Sequence, residues 1–184
     1  MSSNRRICSA ARAVRLAALG SLALVVASCG TRHSPAPSPI ATMPSAAASL
    51  SPALYVNLIG NISLFAVRAS EIVLERSSDE RTRDAARQVI DGQKAVAAQL
   101  SMAGRRVDLL PDAALTAAMI ADLERLRAST APEADYRALI IPALSRGAAA
   151  HETFAQAGTS PTLRPVAAMA APVTRKNLDA VRGR

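Results

Sequence analysis

The chain has 184 residues, half of them hydrophobic, and 22 Lys and Arg against 14 Asp and Glu give a formal charge of +8. Phe and Tyr number two each, Trp is absent, and the basic residues are scattered among acids, which argues against nucleic-acid recognition by stacking. Both cysteines, Cys8 and Cys29, lie near the N-terminus, so everything after Cys29 lacks a thiol for a disulfide, a redox centre or a metal.

Residues 1–28 read as a lipoprotein signal peptide. Arg5, Arg6, Arg12 and Arg15 precede an apolar run over residues 16–28, which is too short for the roughly 20 residues of a spanning helix. The run closes on Val26-Ala27-Ser28-Cys29, small residues before a cysteine, which is the pattern of a lipobox with Cys29 as the lipidated residue. Removal of this segment takes four arginines and no acid, leaving a charge of about +4. Several acyl chains, each buried methylene contributing about 0.8 kcal/mol, hold a protein at a membrane with no spanning helix. Gly30 stands where an Asp would resemble an inner-membrane retention signal, so the expected address is the outer membrane, facing the periplasm.

Residues 29–51 form the lipidated cysteine and a tether rich in Pro, Ser and Ala, including Pro35-Ala36-Pro37-Ser38-Pro39. Its reach is about 26 Å as a flexible coil and about 68 Å as extended polyproline.

Residues 52–184 read as helices. Ser51-Pro52 is a cap followed by proline at the first helical position, and Leu58, Ile62, Phe65, Ala69 and Ile72 make one apolar stripe ending near Ser77. Ser78 is the expected cap of a second helix, with Ala85, Val89, Gly92, Val96 and Leu100 inward and Gly104 as its stop. Gly92 on that stripe points to a tight helix crossing or is incidental. A shorter helix is predicted over 112–128 with Leu115, Met119, Leu123 and Leu126 inward, and a fourth over 132–157, kinked at Pro142. Ser160-Pro161 starts a fifth, bent at Pro172 and ending near Gly183.

Catalytic chemistry finds little support in these residues. There is no nucleophile-elbow motif, no phosphate-binding glycine loop and no Glu-x-x-His. His151, beside Glu152, reads as a partly exposed residue near a helix end. Glu71 and Glu75 read as a solvated face with Arg68 and Arg76 nearby, and Arg105-Arg106 as a solvated turn.

Ser63-Leu64-Phe65, Leu74-Glu75-Arg76-Ser77, Gln88-Val89-Ile90-Asp91, Asp135-Tyr136, Ala155-Gln156-Ala157-Gly158, Ser160-Pro161 and Pro172, in this order, resemble the bacterial family Domain of Unknown Function 4142 over residues 54–181. The resemblance implies an all-α, ferritin-like four-helix bundle with an additional short helix in the middle connection, often labelled a predicted outer membrane protein. It also implies inward polar residues that this chain has largely replaced. Ala66 stands where the family has Glu, Asp91-Gly92-Gln93 where it has Asp-Asp-His, and Leu144 and Asn177 where it has His. Asp91, Gln93 and Asn177 are therefore the expected remnant of a polar site.

The expectation is a non-enzymatic envelope lipoprotein with no cofactor, attached to the membrane through Cys29 and acting on an envelope protein or cell-wall partner. The alternatives are a ferritin-like metal or redox protein, and a bundle that binds a small apolar ligand in an Ala/Leu-lined cleft opened by Pro142 and Pro172.

Overall fold

The computed structural model describes residues 50–112 and 114–183. The stretches read from the sequence as a signal peptide and tether, Cys29 included, lie almost wholly outside those residues. Five helices follow: α1 (Pro52–Arg76), α2 (Glu80–Arg105), α3 (Ala117–Ala128), α4 (Pro132–Ala157) and α5 (Leu163–Arg182). No strand occurs among the described residues.

Local chemistry sets the helix ends. The Ser51 hydroxyl accepts from the Leu54 amide at 3.3 Å, with Pro52 fixed in a helical φ beside it. Asp79, one residue later than expected, caps α2 by accepting from the Thr82 amide at 2.9 Å. The Ser78 cap is thus corrected: a carboxylate next to a helix N-terminus holds the stronger, charge-assisted bond. α2 runs one residue past Gly104, and the chain then turns through Asp108, which takes a left-handed φ of 53°. α3 starts five residues later than the sequence indicates. Asp112 is held instead by α1, its amide donating to Asn57 Oδ1 at 2.9 Å, and Thr116 provides the cap. α5 is counted from Leu163, but the Ser160 hydroxyl accepts from the Leu163 amide and the Ser160 carbonyl from the Arg164 amide, so Ser160-Pro161 does initiate its first turn. α4 continues through Pro142 and α5 through Pro172.

The four long helices form a square in which α1 borders α2 and α4, and α5 borders α2 and α4. The turn at residues 77–79 folds α2 back along α1. The following connection, carrying α3, returns along the bundle and delivers α4 at the same end as that turn, where Ser77 donates to Glu133 at 2.6 Å and Arg76 to the Ser129 carbonyl at 2.6 Å. α2 and α4 therefore run down while α1 and α5 run up. Two hairpins joined by one long crossover is the connectivity of ferritin-like bundles.

The core lies in two parts. One, near the α1–α2 turn, contains Phe65, Ala69, Val89, Leu126, Ile140, Leu144 and Leu178. The other, at the opposite end, contains Tyr55, Ile59, Val96, Leu100, Phe154, Leu163 and Ala167. Ala recurs along both, which permits close helix approach. α1 alone among the described helices is long and apolar enough to cross a membrane, with a mean hydropathy of 1.3, and 67% of that stretch is buried in the bundle.

Candidate functional site

Between the two apolar clusters, the middle of the bundle is polar. Ser63 on α1, Gln93 on α2, and Thr174 and Asn177 on α5 are each only 1% exposed. Helical spacing places them there: Ser63 shares the inward face with Ile59 and Ala66, Gln93 with Val89 and Val96, and Thr174 and Asn177 with Ala170 and Val181. On the α4 side, Gly147 brings its backbone against Ile62 and Thr174, both within ordinary van der Waals distance of where a Cβ would sit.

This layer is only partly satisfied. The Ser63 hydroxyl donates to Gln93 Oε1 at 2.9 Å. Gln93 Nε2, Thr174 Oγ1 and Asn177 Nδ2 have no protein partner. An unpaired buried polar atom costs about 1–3 kcal/mol, so three in one layer are a substantial local penalty. At its edge, Gly92 admits the Asn177 side chain. A Cβ at position 92 would overlap Asn177 Nδ2 and lie 2.8 Å from Oδ1. Gly92 is a tight crossing between α2 and α5, with a side chain in the space that a larger residue would fill.

Gln93 and Asn177 of the expected remnant site are thus part of one buried layer, and Asp91 is not. Asp91 is exposed on the outer side of α2, two residues from Gln93 and therefore far round the helix from it. Ala66 and Leu144, at two other positions where the resemblance implies polar groups, are fully buried members of the apolar cluster nearest the α1–α2 turn. The sequence offers Ser63 only as part of the Ser63-Leu64-Phe65 motif and Thr174 not at all, because a lone hydroxyl on a helix gives no sign of its face beyond its spacing from the apolar stripe.

The layer does not fit a metal centre of the ferritin-like type. Such a centre needs carboxylates and imidazoles converging from four helices. Here the same level offers two amides and two hydroxyls. Among the described residues, no three His, Cys, Asp or Glu side chains gather where they could hold an ion.

The one histidine of the helical body lies elsewhere and is not partly exposed, which corrects the reading from its neighbour Glu152. His151 is 1% exposed, one turn from Phe154 on the inward face of α4. Its Nδ1 lies 2.9 Å from the Tyr55 hydroxyl, and the Tyr55 ring stacks on Phe154 with centroids 4.0 Å apart. Burial lowers the His151 pKa to about 4 and raises that of Tyr55, so the pair is a neutral structural bond near neutral pH. At the other end, Ser70 and Tyr136 share a buried bond of 2.7 Å, and burial pushes Tyr136 up to about 12. The acids of α1 remain outside: Glu71 pairs with Arg68 at 3.1 Å, and Glu75 is exposed.

The cleft expected near Pro142 and Pro172 is not formed by those residues together. Pro142 borders a shallow cavity of about 360 Å³ between α1, α3 and α4, and Pro172 is exposed on α5. A cavity of about 340 Å³ runs instead between α1 and α2 and reaches Ser63 and Gln93.

Neither the curated proteins nor the solved structures include a match to this chain. The model of the family described as Domain of unknown function (DUF4142) matches residues 37–183, and the chain belongs to that family.

Proposed function

We propose that this protein is a non-enzymatic envelope lipoprotein, anchored through Cys29 at the outer membrane and facing the periplasm. A Pro-rich tether holds a helical domain away from the lipid, and the domain acts by contact with an envelope protein or with the cell wall. The observation that carries the non-enzymatic part is the composition of the middle layer. Ser63, Gln93, Thr174 and Asn177 are the buried polar residues in the middle of the bundle, and none of them is a strong acid, base or nucleophile at neutral pH. The anchor rests on the sequence of residues 16–29.

Cross-linking in intact cells, followed by purification through a C-terminal tag, tests this reading. One envelope protein or peptidoglycan fragment recovered reproducibly, and lost when the tether is deleted, is the expected outcome. Recovery of no specific partner would count against it.

A further inference from the structure

The cavity between α1 and α2 is graded along its length. At one end Arg68 and Glu71 on α1 face Lys94 on α2, with Glu71 accepting from Arg68 at 3.1 Å and lying 3.9 Å from Lys94. Among the residues lining that end, two cations share one carboxylate, an excess of one positive charge. Three turns of α1 away, about 16 Å at the rise of an α-helix, the other end is closed by Pro111. Its approach is close: a Cβ on Gly60 would lie 2.7 Å from Pro111 Cβ, so a side chain there would drive the wall outward. Between the ends, Leu64, Val67, Ala97 and Leu100 line an apolar trough. Its volume of about 340 Å³ is within the range of small-molecule sites.

The trough carries one further polar group. Gln93 lines it, is 1% exposed, and has an Nε2 with no partner. The Ser63 hydroxyl, also on the lining, occupies Oε1, and the amide nitrogen is buried without a protein partner. The unfilled requirement is for a hydrogen-bond acceptor beside Gln93, at the level of Ser63.

We propose that this groove binds a single-chain amphiphile with a carboxylate head. The head sits by Lys94 and Arg68, with one oxygen accepting from Gln93 Nε2, and the alkyl chain runs past Leu64, Ala97 and Leu100 towards Pro111. An acyl monocarboxylate matches all three features at once: an anion for the spare cation, an acceptor for the orphaned amide, and an unbranched apolar body for a narrow trough. The proposal goes beyond the tethered-domain reading and does not depend on it, since binding is measurable on the purified chain with no membrane or partner present.

The test is a titration of the isotope-labelled full chain with decanoate, followed by two-dimensional NMR, with 1-decanol and decyltrimethylammonium as the neutral and cationic counterparts. Saturable shifts confined to amides around Leu64, Gln93 and Ala97, tighter for decanoate than for either counterpart, are expected. Ala97→Trp fills the trough and should weaken decanoate about tenfold or more. Lys94→Glu changes a side chain that is 61% exposed, and should weaken decanoate while leaving decanol unchanged. Absence of saturable decanoate binding at millimolar concentration would overturn the proposal. So would shifts mapping to another surface, decyltrimethylammonium binding as tightly as decanoate, or decanoate affinity unaltered by Lys94→Glu.

Discussion

The amide of Asn177 occupies the space in which a Cβ on Gly92 would lie, so α2 and α5 meet across a glycine and a buried polar side chain. Two opposed effects act at position 92. Alanine improves helix propensity by about 1 kcal/mol, but its methyl collides with an amide that is 1% exposed. Gly92→Ala should therefore destabilise the protein by about 1–2 kcal/mol on its own. In an Asn177→Ala background the same change should stabilise by about 1 kcal/mol. Urea denaturation of the four members of this cycle reads the sign reversal, and additive effects would show that the two positions do not touch.

Ser63 and Gln93 are the only joined pair in the polar layer. Ser63→Ala removes the donor to Gln93 Oε1 and leaves the whole buried amide unpaired, with an expected loss of about 1–3 kcal/mol. Adding Gln93→Met to that variant removes the stranded amide and should restore stability to the parent level or above it. A double variant no more stable than Ser63→Ala alone would show that the amide is not stranded. Chemical denaturation with matched m-values is the measurement.

His151 makes stability depend on pH. Burial holds its folded-state pKa at about 4, below the ordinary 6.5. The unfolded chain therefore takes up a proton at higher pH than the folded one, and stability is complete above about 6.5 and declines as pH falls towards 4. The decline should amount to about 3 kcal/mol over that window, and His151→Leu should flatten it. Asp79 and Glu133 are held below the usual carboxylate range, chiefly by bonds from Thr82 and Ser77 respectively, and they extend the loss to lower pH. At the alkaline end the sign reverses. Tyr136 ionises only near 12 when folded, so stability falls as pH rises above 10. Thermal melts across pH, with and without His151→Leu, test the acid limb.

The helices were legible because their ends are written in local chemistry. Ser51-Pro52, Pro132 and Ser160-Pro161 mark starts that the structure retains, and apolar residues three and four apart mark the inward faces. Errors arose where a tertiary bond competes with a local signal. Asp112 looks like a helix start, yet its amide donates to Asn57, 55 positions earlier in the chain. The neighbouring Glu152 suggests an exposed His151, whereas Gly147 and Phe154, one turn away on either side, place it on the buried face. Its bond to Tyr55 spans 96 positions and leaves no trace in sequence spacing. Of the three residues that the family resemblance points to, Gln93 and Asn177 are buried and Asp91 is exposed, because an acid in a sequence does not declare which side of a helix it takes.

The proposed cellular role depends on the proposed lipid anchor at Cys29. Intact mass of the protein extracted from the membrane fraction, compared between the parent and Cys29→Ala, tests it directly. The expected result is a polypeptide that begins at Cys29 and carries acyl chains, and a Cys29→Ala form that stays unprocessed or leaves the membrane. An unmodified chain that still begins at Met1, or a Cys29→Ala form with the parent's processing and fractionation, would contradict it.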